Sequence, residues 1–273
     1  MPREENGHVW IEAGVVMSQP LINPWLYSVG LLLGLLVCVQ LGFMLGRRQG
    51  GDGGANALSV EVFGLLGLLL AFSFSGAAGR FEHRRELITQ EANAIGTAYL
   101  RLDLLPAARQ APLRAAMRDY VQARLDTYRA PVNSTAAAAA YARSVDLQQQ
   151  IWTQATTAAQ ETGNTATLSL VSQALNAMFD ITTTRLAATR DHPPVVIDVM
   201  LFVLALMSAL LAGYGVAGSA RLPWLQVLVF AVALSVTVFV IRDLEYPRLG
   251  FIRVDAADRL LVKTLHGMGA PAR

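Results

Sequence analysis

Four apolar runs divide this chain: Trp25 to Leu45, Leu58 to Ala78, Val195 to Gly218 and Pro223 to Ile241. Each approaches or exceeds the roughly 20 apolar residues that cross a hydrocarbon core of about 30 Å. The second run organises the rest, because its helical pattern continues beyond its apolar part. After Ala78 the chain passes, without proline or turn signal, into the charged stretch that begins Arg80-Phe-Glu-His-Arg-Arg and runs to Arg101; Pro106 is the first hard stop. An unbroken helix over this stretch would span about 70 Å at 1.5 Å per residue, so its second half must stand outside the bilayer.

Within the apolar half, Glu61, Gly64, Gly67, Ala71, Ser75, Ala78 and Glu82 follow one another by three or four residues. On a helix they form one stripe of small side chains with a carboxylate at each end. Such a stripe either lets another helix approach closely or lines a narrow water path. Phe72 and Phe74 lie beside Ser75 and are candidates for a constriction.

The first run opens with Trp25 and Tyr27, as an interfacial aromatic belt would, and carries two GxxxG spacings, Gly30/Gly34 and Gly42/Gly46, which predict tight packing on a neighbour. Glu4, Glu5 and Glu12 precede it and no small-residue cleavage site follows it, so the expectation is a retained span and no removable signal peptide. The connector Gln49-Gly-Gly-Asp-Gly-Gly-Ala-Asn56 is glycine-rich and too short for a domain.

Beyond the second run, Ile88, Ala92, Ile95, Tyr99 and Leu102 make an apolar helical face beside a polar one of Glu86, Gln90, Asn93 and Thr97. Glu91 breaks the pattern. Its helical neighbours Leu87, Ala94 and Ile95 are apolar, and an unpaired carboxylate there would be costly, so an arginine partner is expected. Three more helices are predicted: one through Leu113–Leu125 that ends before Pro131, one from the alanine run Ala136–Ala140 through Ile151 and Trp152 to Gly163-Asn164, and one from Thr165 to about Arg190. No strand pattern of any length appears.

Pro193-Pro194 marks re-entry into the membrane. The third span carries a small-residue face at Ala205, Ser208, Ala209 and Ala212, with Asp198 near its start. Gly213, Gly215 and Gly218 have G-x-G-x-x-G spacing, but they end an apolar helix instead of following a strand and are read as a coincidence. The fourth span exits through Arg242, Asp243, Glu245 and Arg248, which are expected to neutralise one another as a snorkelling helix end.

The fold class is therefore all-α: a polytopic membrane protein with four transmembrane helices and a cytoplasmic helical bundle inserted between spans 2 and 3. The expected organisation is an N-terminal segment 1–24, spans 1 and 2 in 25–79, the bundle in 80–194, spans 3 and 4 in 195–241 and a C-terminal segment 242–273. A composition of 53 % hydrophobic and 15 % charged residues fits this division. Orientation follows from the arginines near span ends. Nine of them (Arg3, Arg80, Arg84, Arg85, Arg185, Arg190, Arg242, Arg248 and Arg253) fall on one face, against three (Arg47, Arg48 and Arg221) on the other. The positive-inside rule then places both termini and the bundle in the cytoplasm.

Chemistry narrows the functional classes. His8, His83, His192 and His266 are widely separated, Cys38 is the only cysteine and lies inside a span, and neither a nucleophile elbow nor a P-loop occurs, so no catalytic residue, metal site or cofactor is expected. Basic residues of the bundle are interleaved with nearly as many acids, which disfavours nucleic acid as a partner. A transport path, or a sensor reporting through the spans, remains.

Three stretches carry a resemblance: Phe72-Ser-Phe-Ser-Gly-Ala-Ala-Gly-Arg-Phe-Glu82, Gln90-Glu-Ala-Asn-Ala-Ile-Gly-Thr-Ala-Tyr-Leu-Arg101 with its continuation to Pro106, and Asp243-Leu-Glu-Tyr-Pro-Arg-Leu-Gly-Phe-Ile-Arg-Val254. In these the chain resembles the bacterial bestrophin-like family over roughly residues 25–265, with Glu91, Asn93, Asp243, Glu245, Pro247 and Arg248 as motif positions. The resemblance implies a homo-oligomeric ion channel of the bacterial inner membrane, with self-association, five copies favoured, and with lipid and inorganic ions as its other partners. The run of consecutive carboxylates that clasps calcium in true bestrophins is absent, so calcium gating is not expected. The pore would be lined by Glu61, Gly64, Gly67, Ala71, Phe72, Phe74, Ser75 and Glu82. Two carboxylate rings favour cations. An anion path past Arg80, Arg84 and Arg85 is the rival, and a non-conducting sensor or scaffold is the third reading.

Overall fold

The computed structural model describes residues 24–49, 57–131, 134–246, 251 and 255–269. Helix α1 spans Pro24–Arg48, α2 Ala57–Arg101, α3 Ala107–Arg129, α4 Thr135–Glu161, α5 Thr165–Arg190, α6 Val195–Gly215, α7 Trp224–Glu245 and α8 Asp255–Gly267. No strand occurs among the described residues. α1, α6, α7 and part of α2 are long and apolar enough to cross a membrane, which makes this a multi-pass membrane protein of four spans with a helical bundle between spans 2 and 3.

Local chemistry explains the breaks. α2 runs for 45 residues without an interior proline, closes with a 3₁₀ turn Leu102–Leu104 and stops at Leu105, which is forced extended before Pro106. Ser134 caps α4 by accepting from the Ala137 N–H at 3.1 Å, and Asn164 caps α5 by accepting from the Ala166 N–H at 2.9 Å. Between those helices Gly163 takes φ +65°, the left-handed turn that the Gly-Asn pair announces.

Two cores result. In the membrane part, Leu31, Leu35 and Val39 of α1 pack with Ala205 and Ala209 of α6 and with Ala231 and Val238 of α7. α1 and α6 run in the same direction at backbone contact: a Cβ on Gly42 would lie 1.9 Å from the Leu210 carbonyl oxygen, and one on Gly213 would lie 1.9 Å from that of Val39. Glycine is therefore required at both positions. The Gly42/Gly46 spacing does the packing expected of it, whereas Gly30 faces open space, so the first GxxxG pair is not a packing pair within the subunit. Gly213 is a packing residue, in keeping with the dismissal of the nucleotide-binding spacing.

The bundle core joins Ile95 and Leu102 of α2, Met117 and Tyr120 of α3, Ile151 and Ala155 of α4, and Leu175 and Met178 of α5. α8 completes it with Leu261 and Met268, and the Met268 carbonyl accepts from the Tyr99 hydroxyl at 3.0 Å. This helix was not expected from the sequence.

Candidate functional site

α2 is the least covered of the four spans. Only 11 % of its most apolar stretch is buried, against 33 % in α1 and in α7. Its buried edge is Leu66 and Ala77 in the membrane part, then Arg84, Leu87, Ile88, Glu91, Ile95 and Ala98 outside. The opposite side is exposed from end to end, through Glu61, Gly64, Leu65, Leu68, Phe72, Ser75, Gly79, Glu82, Glu86, Asn93, Thr97 and Leu100. Apart from the adjacent Gly64 and Leu65 and the two-turn step from Glu86 to Asn93, these recur every three or four residues, so they share one side of the helix.

The predicted small-residue stripe falls on this side. Glu61, Gly64, Gly67, Ala71, Ser75 and Glu82 are all exposed, and Gly64 and Gly67 have nothing within 4 Å of where a side chain would begin. Ala78, the remaining member of the stripe, is partly buried and packs against the cluster of Ile241 and Leu244 of α7. Phe72 is 67 % and Phe74 45 % exposed, but two residues apart on a helix they face different sides, so they cannot close one passage together. Phe72 shares the side of Leu65, Leu68 and Gly79, whereas Phe74 lies toward Gly67, Ala71 and Ala78.

Charged residues expected at the inner mouth separate into different roles. Arg85 is exposed and donates to Glu82 at 2.8 Å. Arg80 donates through Nε at 2.9 Å and through its terminal nitrogen to Glu245 Oε1. Arg84 is buried and reaches three carbonyl oxygens: Ala188 at 3.0 Å, Asp191 at 2.8 Å and Glu245 at 3.1 Å. Those carbonyls end α5 and α7, whose last turns lack intrahelical donors, so one guanidinium caps two helices.

Two of the charges at the exit of α7, Arg242 and Glu245, therefore pair with other helices and not with each other as expected. Glu245 pairs with Arg80 of α2; Arg242 donates to Asp198 of α6 at 2.5 Å and lies 4.9 Å from the Tyr27 ring centroid; Asp243 accepts from the Phe251 N–H at 3.0 Å. The helix end faces packed neighbours instead of water, so its charges pair across elements. Pro247 and Arg248 lie outside the described residues. His192, at the α5–α6 link, completes the junction by stacking on Tyr246 with ring centroids 4.9 Å apart. The sequence signal for it was an Asp-His pair at a helix end before two prolines.

Glu91 is fully buried and finds two arginine partners. Arg124 of α3 donates through Nε at 2.8 Å, Arg185 of α5 donates to the other oxygen, and the Tyr128 hydroxyl adds a hydrogen bond at 3.1 Å. Burial would raise the carboxyl pKa, but the charges and hydrogen bonds of Arg124 and Arg185 outweigh it and hold Glu91 below the ordinary carboxylate range. Tyr128, pushed above the ordinary phenol value chiefly by burial, stays neutral. Asn93, two residues on, is exposed. The geometry ties α2, α3 and α5 together.

A family model described as Bestrophin-like domain matches residues 29–258. No curated protein matches the sequence. Three crystal structures of variants of a bacterial Bestrophin homolog from Klebsiella pneumoniae share the fold. One has a TM-score of 0.67 at 14 % identity, covering 88 % of this chain and 97 % of its own. A second scores 0.66 at 15 %, with 88 % and 99 % covered. A third scores 0.65 at 15 %, with 86 % and 97 % covered.

Proposed function

The chain belongs to the Bestrophin-like family, and from that premise we propose that it is a homo-oligomeric ion channel of the bacterial inner membrane, with its path along the exposed face of α2. The observation that carries the proposal is that face. An apolar helix that packs within its subunit along one edge only, and presents glycines, a serine and carboxylates on the other, calls for further copies around it. A ring of several copies, five being favoured, sets Glu61 at one end of the apolar path and Glu82 at the other, with Ser75 between them. Phe72 or Phe74, one of the two and not both together, is then the residue for a dewetting constriction. The arginine asymmetry supports a cytoplasmic bundle and cytoplasmic termini.

Cation preference follows from the repeated carboxylates, which concentrate cations and repel anions. It is also favoured by Arg80 and Arg84, which turn to the opposite side of α2 and engage Glu245 and helix ends. One observation favours an anion path instead: Arg85 shares the exposed side and neutralises Glu82 at 2.8 Å. Bilayer recording of purified protein in a potassium chloride gradient decides between them. The cation reading expects a reversal potential near that of potassium, and loss of the preference in the Glu61→Gln, Glu82→Gln double variant. A shift toward the chloride potential, or unchanged selectivity in that variant, refutes it. Native mass spectrometry in mild detergent tests assembly, and a monomer alone would sink the channel.

A further inference from the structure

We propose that the membrane boundary opposite the bundle carries a binding site for the phosphate of an anionic phospholipid, built from Arg47, Arg48 and Arg221. The C-terminal part of α2 enters the bundle, so its start, the ends of α1 and α6 and the start of α7 gather at the other boundary. The end of α1 is fixed there against α6. A Cβ on Gly46 would lie 2.5 Å from that of Ala217, and the Tyr214 hydroxyl donates to Gln49 Oε1 at 3.1 Å. Arg47 and Arg48 are thereby held at the same end as the short link 216–223, which carries Arg221. Leu222 beside it is buried in the membrane core, and Trp224, the first residue of α7, is 57 % exposed. An exposed tryptophan next to a buried leucine marks the level of the lipid headgroups.

At the boundary on the bundle side the subunit answers its own arginines. Arg80 has Glu245, Arg85 has Glu82 and Arg242 has Asp198, while Arg84 has three carbonyls. At the opposite boundary it does not. Arg47, Arg48 and Arg221 are exposed, and none of them makes a hydrogen bond or ion pair among the described residues. The Arg47 guanidinium lies 5.6 Å from the centroid of the Phe43 ring, and Phe43, 7 % exposed, belongs to the membrane core. The stack covers one face of the guanidinium plane and holds it at the boundary, while the in-plane N–H groups stay free to meet a bidentate oxyanion. The sequence places two carboxylates on this side, Asp52 of the connector, outside the described residues, and Glu61 of α2, so three guanidinium groups leave positive charge in excess. A lipid phosphodiester supplies both the paired oxygens and the negative charge. The excess charge also selects the headgroup: it repels the ammonium of a zwitterionic lipid and favours one whose net charge is negative.

Native mass spectrometry of the full chain in mild detergent, with phosphatidylglycerol or phosphatidylcholine of the same acyl chains added, tests the site. Wild type should retain phosphatidylglycerol in preference. The Arg47→Gln, Arg48→Gln, Arg221→Gln variant should bind it about tenfold to a hundredfold more weakly, because each arginine at a lipid surface is worth about fivefold. Arg190→Gln, which removes an exposed arginine on the bundle side, should leave the preference unchanged. Should the triple variant fail to accumulate, Arg48→Gln with Arg221→Gln, which keeps the stack of Arg47 on Phe43, replaces it. Equal retention of the two lipids by wild type, or an undiminished preference in the variant, overturns the proposal. So does displacement of phosphatidylglycerol by inorganic phosphate, which would assign the arginines to a soluble anion.

Discussion

Replacing Glu91 by glutamine removes one charge with almost no change of shape, and the structure sets what that charge is worth. The carboxylate is fully buried, with Arg124 at 2.8 Å and Arg185 on its other oxygen. Breaking one partner of a buried ion pair costs about 3–5 kcal/mol, mostly because the remaining charge is stranded. Two guanidinium groups are stranded here, so Glu91→Gln belongs at the upper end, about 4–5 kcal/mol. At about 2–4 °C per kcal/mol the unfolding midpoint should fall by about 8–20 °C in detergent. A fall under about 3 °C refutes the assignment of Glu91 as the electrostatic centre of the bundle. A triple variant, Glu91→Leu with Arg124→Met and Arg185→Met, should recover part of the loss, because it strands no guanidinium, although it also takes Arg185 from Asp258, 3.7 Å away. The depressed carboxyl also sets a pH dependence. Its contribution is present above the ordinary carboxylate value of 4.5 and is lost as pH falls through the lower folded value. Bundle stability should thus hold from neutral to about pH 5 and decline below it, and Glu91→Gln should flatten that acid limb.

Gly42→Val puts side-chain atoms where the Leu210 carbonyl stands 1.9 Å away; it should cost about 1–3 kcal/mol and lower the yield of folded protein, whereas Gly30→Val, in open space, should be neutral in the monomer. Arg84→Met strips donors from the ends of α5 and α7 and should cost about 3 kcal/mol or more, read by thermal unfolding, with Arg84→Lys restoring only part because an ammonium cannot span three carbonyls. A cysteine at Gln150, exposed on α4, in a Cys38→Ala background should resist an impermeant maleimide in intact cells and react after lysis; labelling from outside reverses the cytoplasmic placement of the bundle.

Much of this architecture was readable from periodicity. The long α2 follows from the absence of a breaker between Leu58 and Leu105, and the arginine demand of Glu91 follows from its apolar helical neighbours, because both are properties of one helix. Which arginines answer is a tertiary question: Arg124 and Arg185 lie 33 and 94 residues away, and nothing local marks them. The same limit explains the error at the end of α7. Arg242, Asp243 and Glu245 look self-sufficient in sequence, but the chain returns Asp198 and Arg80 to their side. α8 was missed although Leu261, Leu265 and Met268 recur at steps of four and three and mark the face that packs on the bundle.

The junction around Arg84 also orders the making of the protein. Arg84 must wait for Ala188 and Asp191, 104 and 107 residues later, and for Glu245, 161 residues later; Arg80 waits 165 residues for the same glutamate. Until the last span is complete, Arg80 lacks its glutamate and Arg84 has only the two carbonyls at the end of α5. A chain truncated before α7 therefore leaves Arg80 without its carboxylate and Arg84 with two of its three carbonyls, so the junction closes only when the last helix end arrives.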